Sequence, residues 1–159
     1  MEGWTIEQLE GKDVFVIEGQ IAIPNTYSAG VVGSRFLTEL RDNCRIMGIR
    51  CPKCDRCYVP PKSTCMECFG QLSEWVEVGK TGTLLTYTVD HHRTPAQPAA
   101  PPNIYGIIKL DGADTGFMHL IGEADAKNIK SGMRLEAVFR EERKASIMDI
   151  EYFRPHRDK

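Results

Sequence analysis

The sequence predicts a mainly β protein in which a small metal-binding ribbon precedes a closed β-barrel. Four of the six cysteines form two Cys-x-x-Cys pairs in the first half of the chain, and the second half holds runs of β-branched and aromatic residues. A short amphipathic segment ahead of the cysteines adds one helix. The 159 residues are enough for one ordinary domain, or for a small domain with a metal-stapled appendage.

Residues 1–32 are predicted to form an N-terminal arm that carries a hairpin. The apolar stretch from Val14 to Pro24 contains two short β runs around Gly19. A lone two-stranded hairpin is marginal in water. We therefore expect this arm to contact either the rest of the chain or a partner.

Residues 33–50 are predicted to form one short helix and a strand that leads into the cysteines. Ser34 is a suitable N-cap for this helix. The residues that recur on one side at three-to-four spacing are Phe36, Leu37, Leu40 and Cys44. A helix of about ten residues is marginal alone, so it should depend on packing.

The two cysteine pairs predict a zinc ribbon over residues 51–72. Cys51 and Cys54 form the first pair, and Cys65 and Cys68 form the second, ten residues further on. Zinc favours four sulfur ligands at Zn–S distances of about 2.3 Å, and a shell filled by protein is structural rather than catalytic. Tyr58-Val59-Pro60-Pro61 suits the turn between the pairs. We therefore predict structural Zn²⁺ bound by these four cysteines.

Other interpretations of the cysteines have less support. A thioredoxin-like redox pair should open a helix, and no helical pattern follows Pro52 and Lys53. Disulfides require an oxidising compartment, and the acidic first twenty residues do not indicate secretion. An iron centre of rubredoxin type uses the same ligands and stays open. Cys44 and Cys57 are left as small buried or half-exposed thiols.

Residues 73–159 are predicted to form a five-stranded OB-fold barrel. Trp75–Val78 is a strand, and the turn Gly79–Gly82 follows it. Further strands are predicted over 83–89, 105–110, 117–122, 134–139 and 147–153. Residues 124–130 supply one or two helical turns between the third and fourth strands of the barrel. Asp111-Gly112-Ala113-Asp114 is interpreted as a turn.

The side chains offer no catalytic constellation. The sequence lacks paired carboxylates, a Gly-x-Ser-x-Gly elbow and a glycine-rich phosphate loop. His91 and His92 close a strand and are interpreted as exposed polar residues, although either could act as a base. His119 lies in the middle of a strand, where a core histidine is commoner than a ligand. These observations leave an enzymatic role of the chain by itself undecided.

Several motifs together resemble a known family. A helix precedes Cys-x-x-Cys, Tyr-Val-Pro-Pro and Cys-x-x-Cys, and Trp75-Val-Glu-Val-Gly-x-x-Gly-Thr-Leu-Leu-Thr-Tyr-Thr-Val89 and Tyr105-Gly-Ile-Ile-x-Leu-Asp-Gly-Ala-Asp-Thr-Gly116 follow. From about Gly33 to Pro155 the chain resembles the zinc-ribbon/OB-fold acyl-CoA-associated family, domain of unknown function thirty-five. The resemblance implies a cytoplasmic, non-catalytic subunit that docks onto a thiolase-type enzyme, with two copies of each chain, and contributes to binding CoA or acyl-CoA.

Residues 1–32 have a narrower resemblance. They are similar to the amino-terminal extension of family members paired with degradative thiolases, including the small subunit of benzoylsuccinyl-CoA thiolase. This resemblance implies a role in aromatic degradation. No residue in the sequence indicates which acyl group the substrate carries.

CoA would need cations for its phosphates and a flat ring for its adenine. The residues that meet these needs in the barrel region, and that we predict as candidates, are Arg93, Tyr105, Lys109, Phe117, Arg143 and Lys144. The loop from Pro95 to Pro102 is a better candidate for a protein contact, because its prolines order it before docking.

Nucleic-acid binding is the alternative function, because zinc ribbons and OB-folds both serve it. Residues 73–159 carry 12 Lys and Arg against 13 Asp and Glu, whereas a phosphate-binding surface needs a basic excess. Salt-sensitive binding of oligonucleotides would distinguish this function from an acyl-CoA partner subunit. No apolar run reaches the roughly 20 residues of a membrane span, so no membrane association is expected.

Overall fold

The computed structural model describes residues 27–93, 97 and 100–156. The predicted hairpin at Val14 to Pro24 lies outside these residues. The elements in chain order are α1 (Gly30–Asn43), β1 (Ile46–Arg50), β2 (Cys57–Tyr58), β3 (Glu74–Val78), β4 (Thr81–Asp90), β5 (Asn103–Leu110), β6 (Gly116–Ile121), β7 (Arg134–Phe139), a 3-10 turn (Ile147–Asp149) and β8 (Ile150–Pro155). The prediction of a mainly β fold with one α-helix is confirmed in this part of the chain.

Helix α1 is longer than predicted and begins before Ser34. Ala29 occupies the N-cap position without a side-chain hydrogen bond, so the prediction of Ser34 as N-cap is wrong. The hydroxyl of Ser28 instead accepts a hydrogen bond from the Gly30 N–H at 3.1 Å. This hydrogen bond satisfies one of the free amides of the first turn, and the helix starts five residues earlier than predicted. Phe36 and Leu40 are buried, as the spacing predicted.

The ribbon contains a three-stranded sheet in the order β2-β1-β3. β1 pairs with β3 in antiparallel fashion from Ile46 opposite Val78 to Arg50 opposite Glu74. The sequence boundary at residue 73 assigns this strand to the barrel, but its partner is β1 in the ribbon sheet. The alternation of side chains indicates a strand but does not show which sheet that strand joins. Here it joins the ribbon sheet, where β1 offers a buried face and a free edge.

Five strands close a barrel in the order β4-β5-β6-β8-β7. Neighbouring strands are antiparallel, except for a parallel contact of β6 with β8 at Ile121 and Phe153. This is the strand order of an OB-fold and confirms that prediction. The fully buried side chains of the barrel interior include Leu84, Ile108, Phe117, Leu135 and Phe153.

Two predictions about the connections need correction. Residues 124–130 form a single turn and no longer helix, with the Asn128 and Ile129 N–H groups donating to the Asp125 carbonyl at 2.9 and 3.1 Å. The carboxylate of Asp125 caps this turn by accepting from the Lys127 N–H at 2.9 Å. The last strand begins at Ile150 rather than Ile147, because residues 147–149 form a 3-10 turn capped by Ser146. That turn carries its own capping box with Asp149.

Candidate metal centre and binding surfaces

The four predicted ligands lie together in the ribbon. The Sγ atoms of Cys51, Cys54, Cys65 and Cys68 are all within 4.8 Å of one another. The Cys51 and Cys68 sulfurs are 3.6 Å apart. A tetrahedral zinc with Zn–S bonds of about 2.3 Å separates its sulfurs by about 3.8 Å. The cluster therefore fits a structural zinc ion.

Two equivalent turns, which we call the first knuckle (Cys51–Asp55) and the second knuckle (Cys65–Phe69), shape the centre. In each, the residue after the second cysteine donates its N–H to the carbonyl of the first cysteine, from Asp55 to Cys51 at 2.8 Å and from Phe69 to Cys65 at 3.1 Å. Backbone N–H groups also point at sulfur, from Cys54 to Cys51 Sγ at 3.4 Å. Such donors stabilise thiolate ligands.

Hydrogen bonds and burial shift the pKa values of two of the four thiols in opposite directions. The Cys68 backbone N–H, followed by the Tyr58 hydroxyl, lowers the pKa of Cys65 to about 6. The Tyr58 hydroxyl lies 3.3 Å from Cys65 Sγ and accepts from the Met66 N–H at 3.3 Å, so its proton is free for the sulfur. Cys68, with burial and the other two thiols, raises the pKa of Cys54 to about 12. Four thiolates this close need a metal dication to ionise together.

The two remaining cysteines are structural. Cys57 is fully buried in β2, and burial raises the pKa of its thiol. Its sulfur packs over Gly48, where an added Cβ would be 2.7 Å from Cys57 Sγ. Cys44 takes the left-handed conformation at the end of α1, with φ of 50°. The predicted buried or half-exposed thiols are confirmed.

The turn after β5 joins the ribbon to the barrel. Asp114 accepts from the Cys57 N–H at 2.9 Å, and its own N–H donates to the Cys57 carbonyl at 2.9 Å. The Thr115 hydroxyl accepts from the Val59 N–H at 2.8 Å and lies 2.9 Å from the Val59 carbonyl. Arg134, with Thr81, lowers the pKa of Asp111 to about 2. The predicted turn is confirmed as a structural junction.

The six CoA candidates do not form one site. Arg93 is exposed just after β4, and Tyr105 and Lys109 lie on the outer face of β5, about 13 Å apart along the strand. Arg143 and Lys144 belong to the connection between β7 and β8. The Arg143 guanidinium donates to the Arg41 carbonyl at 2.6 Å and so binds the end of α1. The Arg143 guanidinium is therefore engaged by the protein itself.

Phe117 was a wrong candidate for stacking on adenine. Its side chain is 1% exposed, because it faces the barrel interior. The ring lies 5.7 Å from the His119 ring and 6.1 Å from the Phe153 ring. An adenine could not reach it without opening the core.

The histidines behave as the sequence suggested. His91 and His92 are exposed after β4. His119 is 5% exposed, its Nε2 is 3.3 Å from the Ile147 carbonyl, and burial lowers its pKa. Its Nδ1 has no hydrogen-bond partner among the atoms of the described residues. It is a neutral core histidine.

Sequence analysis missed two exposed apolar surfaces. The first, the barrel face, consists of Leu85, Ile107 and Met118 on adjacent strands; Met118 is 70% exposed. Ile107 and Met118 are directly opposite each other on β5 and β6. Gly116 keeps this surface continuous, because an added Cβ would overlap Ile107 Cγ2. The alternation of Phe117, Met118 and His119 was a signal, but it does not show which face is buried.

The second surface, the knuckle tip, consists of Met66 and Phe69 on the second knuckle. Their side chains are 60% and 76% exposed. Next to them Arg56 forms an ion pair with Glu67. The spacing of the cysteines points to ligands and says little about what the intervening residues contact.

Among the helices of the described residues, none has the length and hydropathy needed to cross a bilayer.

Comparisons with known proteins identify both units. The family model "ChsH2, rubredoxin-like zinc ribbon domain" matches residues 39–73, and "ChsH2, C-terminal OB-fold domain" matches residues 75–140. A DUF35 domain-containing scaffold protein of Methanocaldococcus jannaschii is 29% identical over 107 residues, 67% of this chain and 75% of that protein.

Two solved structures have the same fold. A DUF35-family protein of unknown function from Sulfolobus solfataricus superposes with a TM-score of 0.56 at 26% identity, covering 69% of this chain and 78% of that one. The Ltp2-ChsH2(DUF35) aldolase does so with a TM-score of 0.57 at 24% identity, covering 77% and 93%. With its four-cysteine ribbon followed by an OB-fold barrel, the chain belongs to the DUF35/ChsH2 family.

Proposed function

We propose that this chain is a non-catalytic scaffold subunit that docks onto a thiolase-type acyl-CoA enzyme. The observation that carries the proposal is the barrel face of Leu85, Ile107 and Met118. An exposed, contiguous apolar surface on a folded domain is typical of a protein interface. The proposal agrees with two similar proteins, the scaffold protein of Methanocaldococcus jannaschii and the Ltp2-ChsH2(DUF35) aldolase.

The position of the barrel face argues against nucleic acid. OB-folds bind oligonucleotides on the outer face of their second and third strands, which are β5 and β6 here. Such a face needs exposed aromatic rings for stacking and an excess of cations. Here Ile107 and Met118 occupy its centre, with the half-buried Tyr105 on one side and a single cation of β5, Lys109, on the other. A face with an aliphatic centre favours a protein partner.

The metal centre supports a structural role. All four ligand positions of the zinc are supplied by cysteine, so the metal has no position left for a substrate or a water. The pKa of the Asp111 carboxyl lies well below its usual range, and its structural partners Arg134 and Thr81 explain this. Chemistry in the complex would then come from the partner.

Contact with CoA belongs to the same proposal. Tyr105 and Lys109 lie on the outer face of β5, on either side of Ile107. A partner that covers Ile107 would bring its own surface next to both residues. Lys109 can then contribute one cation to a CoA phosphate held mainly by the partner. In the narrower form of the proposal, the complex has two copies of each chain and is benzoylsuccinyl-CoA thiolase.

The test is co-production of the tagged chain with the thiolase-family enzyme of the same organism. We expect a complex of defined mass in light scattering, and a rate of thiolysis that depends on this subunit. Met118→Lys should weaken the complex at least tenfold, because it places a charge in the apolar contact. Thr38→Lys, on the exposed side of α1, is the matched control. A chain that stays alone and binds single-stranded oligonucleotides in a salt-dependent way would overturn the proposal.

A further inference from the structure

The two knuckles have the same backbone but different residues at one strained position. The residue after the second cysteine has a left-handed conformation in both, with φ of 55° at Asp55 and 57° at Phe69. Glycine adopts this conformation freely, and Asp or Asn tolerates it. For a bulky side chain such as phenylalanine it is a genuine outlier. Phe69 therefore costs the isolated chain stability that Asp55 does not.

Packing among the described residues does not compensate for this cost. The Phe69 side chain is 76% exposed and lies outside the buried cluster of the ribbon. Met66, three residues earlier on the same knuckle, is 60% exposed. Strained residues persist where function requires them. An exposed aromatic ring held in a strained conformation is explained if it contacts another molecule.

We propose that Phe69, with Met66, is the anchor by which the knuckle tip enters an apolar pocket on the thiolase-type partner. This inference rests on the proposed function. Large aromatic side chains that fill a pocket dominate the free energy of many interfaces. Methionine adapts its shape to an irregular apolar surface.

Charges around the tip indicate the rim of that pocket. Arg50 pairs with Asp55, and Arg56 pairs with Glu67. Lys53 and Lys62 are exposed on the same ribbon, and no carboxylate of the described residues is within ion-pair distance of either. A pocket rimmed by Asp and Glu would complement them.

The size of the tip argues against a second copy of this chain as the occupant. Phe69 and Met66 expose about 250 Å² of apolar surface. Two copies joined tip to tip would bury about twice that area, which is below the roughly 1,200 Å² of a stable interface. An anchor within a larger interface, shared with the barrel face, is the better match.

The experiment measures binding of the purified thiolase-family enzyme to the zinc-loaded full chain and its variants. Phe69→Gly should weaken binding at least tenfold while zinc content stays the same and the melting temperature stays equal or rises, because glycine relieves the strain. Met66→Ala should weaken binding severalfold. Asp55→Gly makes the matching backbone change on the first knuckle and should not weaken binding, because it removes a carboxylate and frees Arg50 for an acidic rim.

The outcomes separate this inference from the proposed function. If the wild-type chain and Phe69→Gly bind the enzyme equally, the anchor is wrong although the scaffold function stands. If the wild-type chain does not bind the enzyme, the proposed function fails and the inference with it. If Phe69→Gly instead converts a wild-type dimer to a monomer in light scattering, the occupant is a second copy and the inference is overturned.

Discussion

The ribbon and the barrel reach stability by different routes. The buried cluster around the metal contains Ile49, Cys51, Tyr58, Cys65 and Leu72, and two of these five are metal ligands. The larger cluster contains eighteen buried residues from the helix, the barrel and the ribbon sheet, of which Cys57 is the single cysteine. A core as small as that around the metal cannot offset the entropy of ordering the chain, so the metal must supply the difference. The barrel needs no such help.

Removing the metal should break this comparison most strongly. Cys68→Ser, or a chelator, should unfold residues 51–72, because metal-binding free energy on the order of 10 kcal/mol is the folding free energy of such ribbons. The barrel strands should stay folded. Amide hydrogen exchange, residue by residue, measures both. Cys44→Ser, which alters a cysteine outside the cluster, is the control.

Protection of residues 51–72 in the metal-free chain would contradict a metal-dependent ribbon. Chelation should also release a thiolase-type partner, because the second knuckle would lose its shape. Retention of the partner by the stripped chain would place the docking surface on the barrel alone.

Phe153→Ala perturbs the barrel core instead of the metal centre. Phe153 is fully buried in the barrel, and its removal should cost about 3–5 kcal/mol of unfolding free energy. Denaturant unfolding measures the loss, and zinc content below the transition should stay at one ion per chain. Met118→Ala, on the exposed barrel face, should change the free energy by less than about 0.5 kcal/mol. Loss of zinc in folded Phe153→Ala would show that the ribbon depends on the barrel.

Thr115→Val tests the junction between the two units. The hydroxyl serves both the N–H and the carbonyl of Val59, so its loss should cost about 1–3 kcal/mol. The larger effect should be seen in hydrogen exchange of β2 rather than of β5. Thr88→Val is the control, since Thr88 is exposed on β4. Equal effects of the two variants would mean that the junction does not depend on this hydroxyl.

His119 should make the barrel sensitive to mild acid. Burial lowers its pKa below the usual 6.5, so the unfolded chain binds the proton more readily. Stability is therefore complete above pH 6.5 and falls below it, by up to about 1.4 kcal/mol per pH unit until the folded pKa is reached. Unfolding of His119→Phe at pH 7.5 and 5.5 measures this term against His92→Phe. The same pH dependence in both variants would exclude His119 as its source.

The sequence predicted what depends on local spacing. The spacing of the cysteines predicted that Cys51, Cys54, Cys65 and Cys68 lie together, and the alternation of side chains between turn residues predicted the five barrel strands. What failed depends on tertiary contacts. Phe117 and Met118 are adjacent apolar residues in one strand, and only closure of the barrel decides that the first is buried and the second exposed. Of the one or two helical turns expected at residues 124–130, one is present, capped by Asp125.

The connection between the two units is very short. β3 ends at Val78 and β4 begins at Thr81, and the intervening Gly79 and Lys80 are hydrogen-bonded to Asp111 and Ala137 at 2.8 Å. This short connection holds the knuckle tip and the barrel face at a fixed distance from each other. A partner that contacts both must present its two sites at that one spacing. Two glycines inserted after Gly79 would leave each unit folded but would change the spacing between the two surfaces.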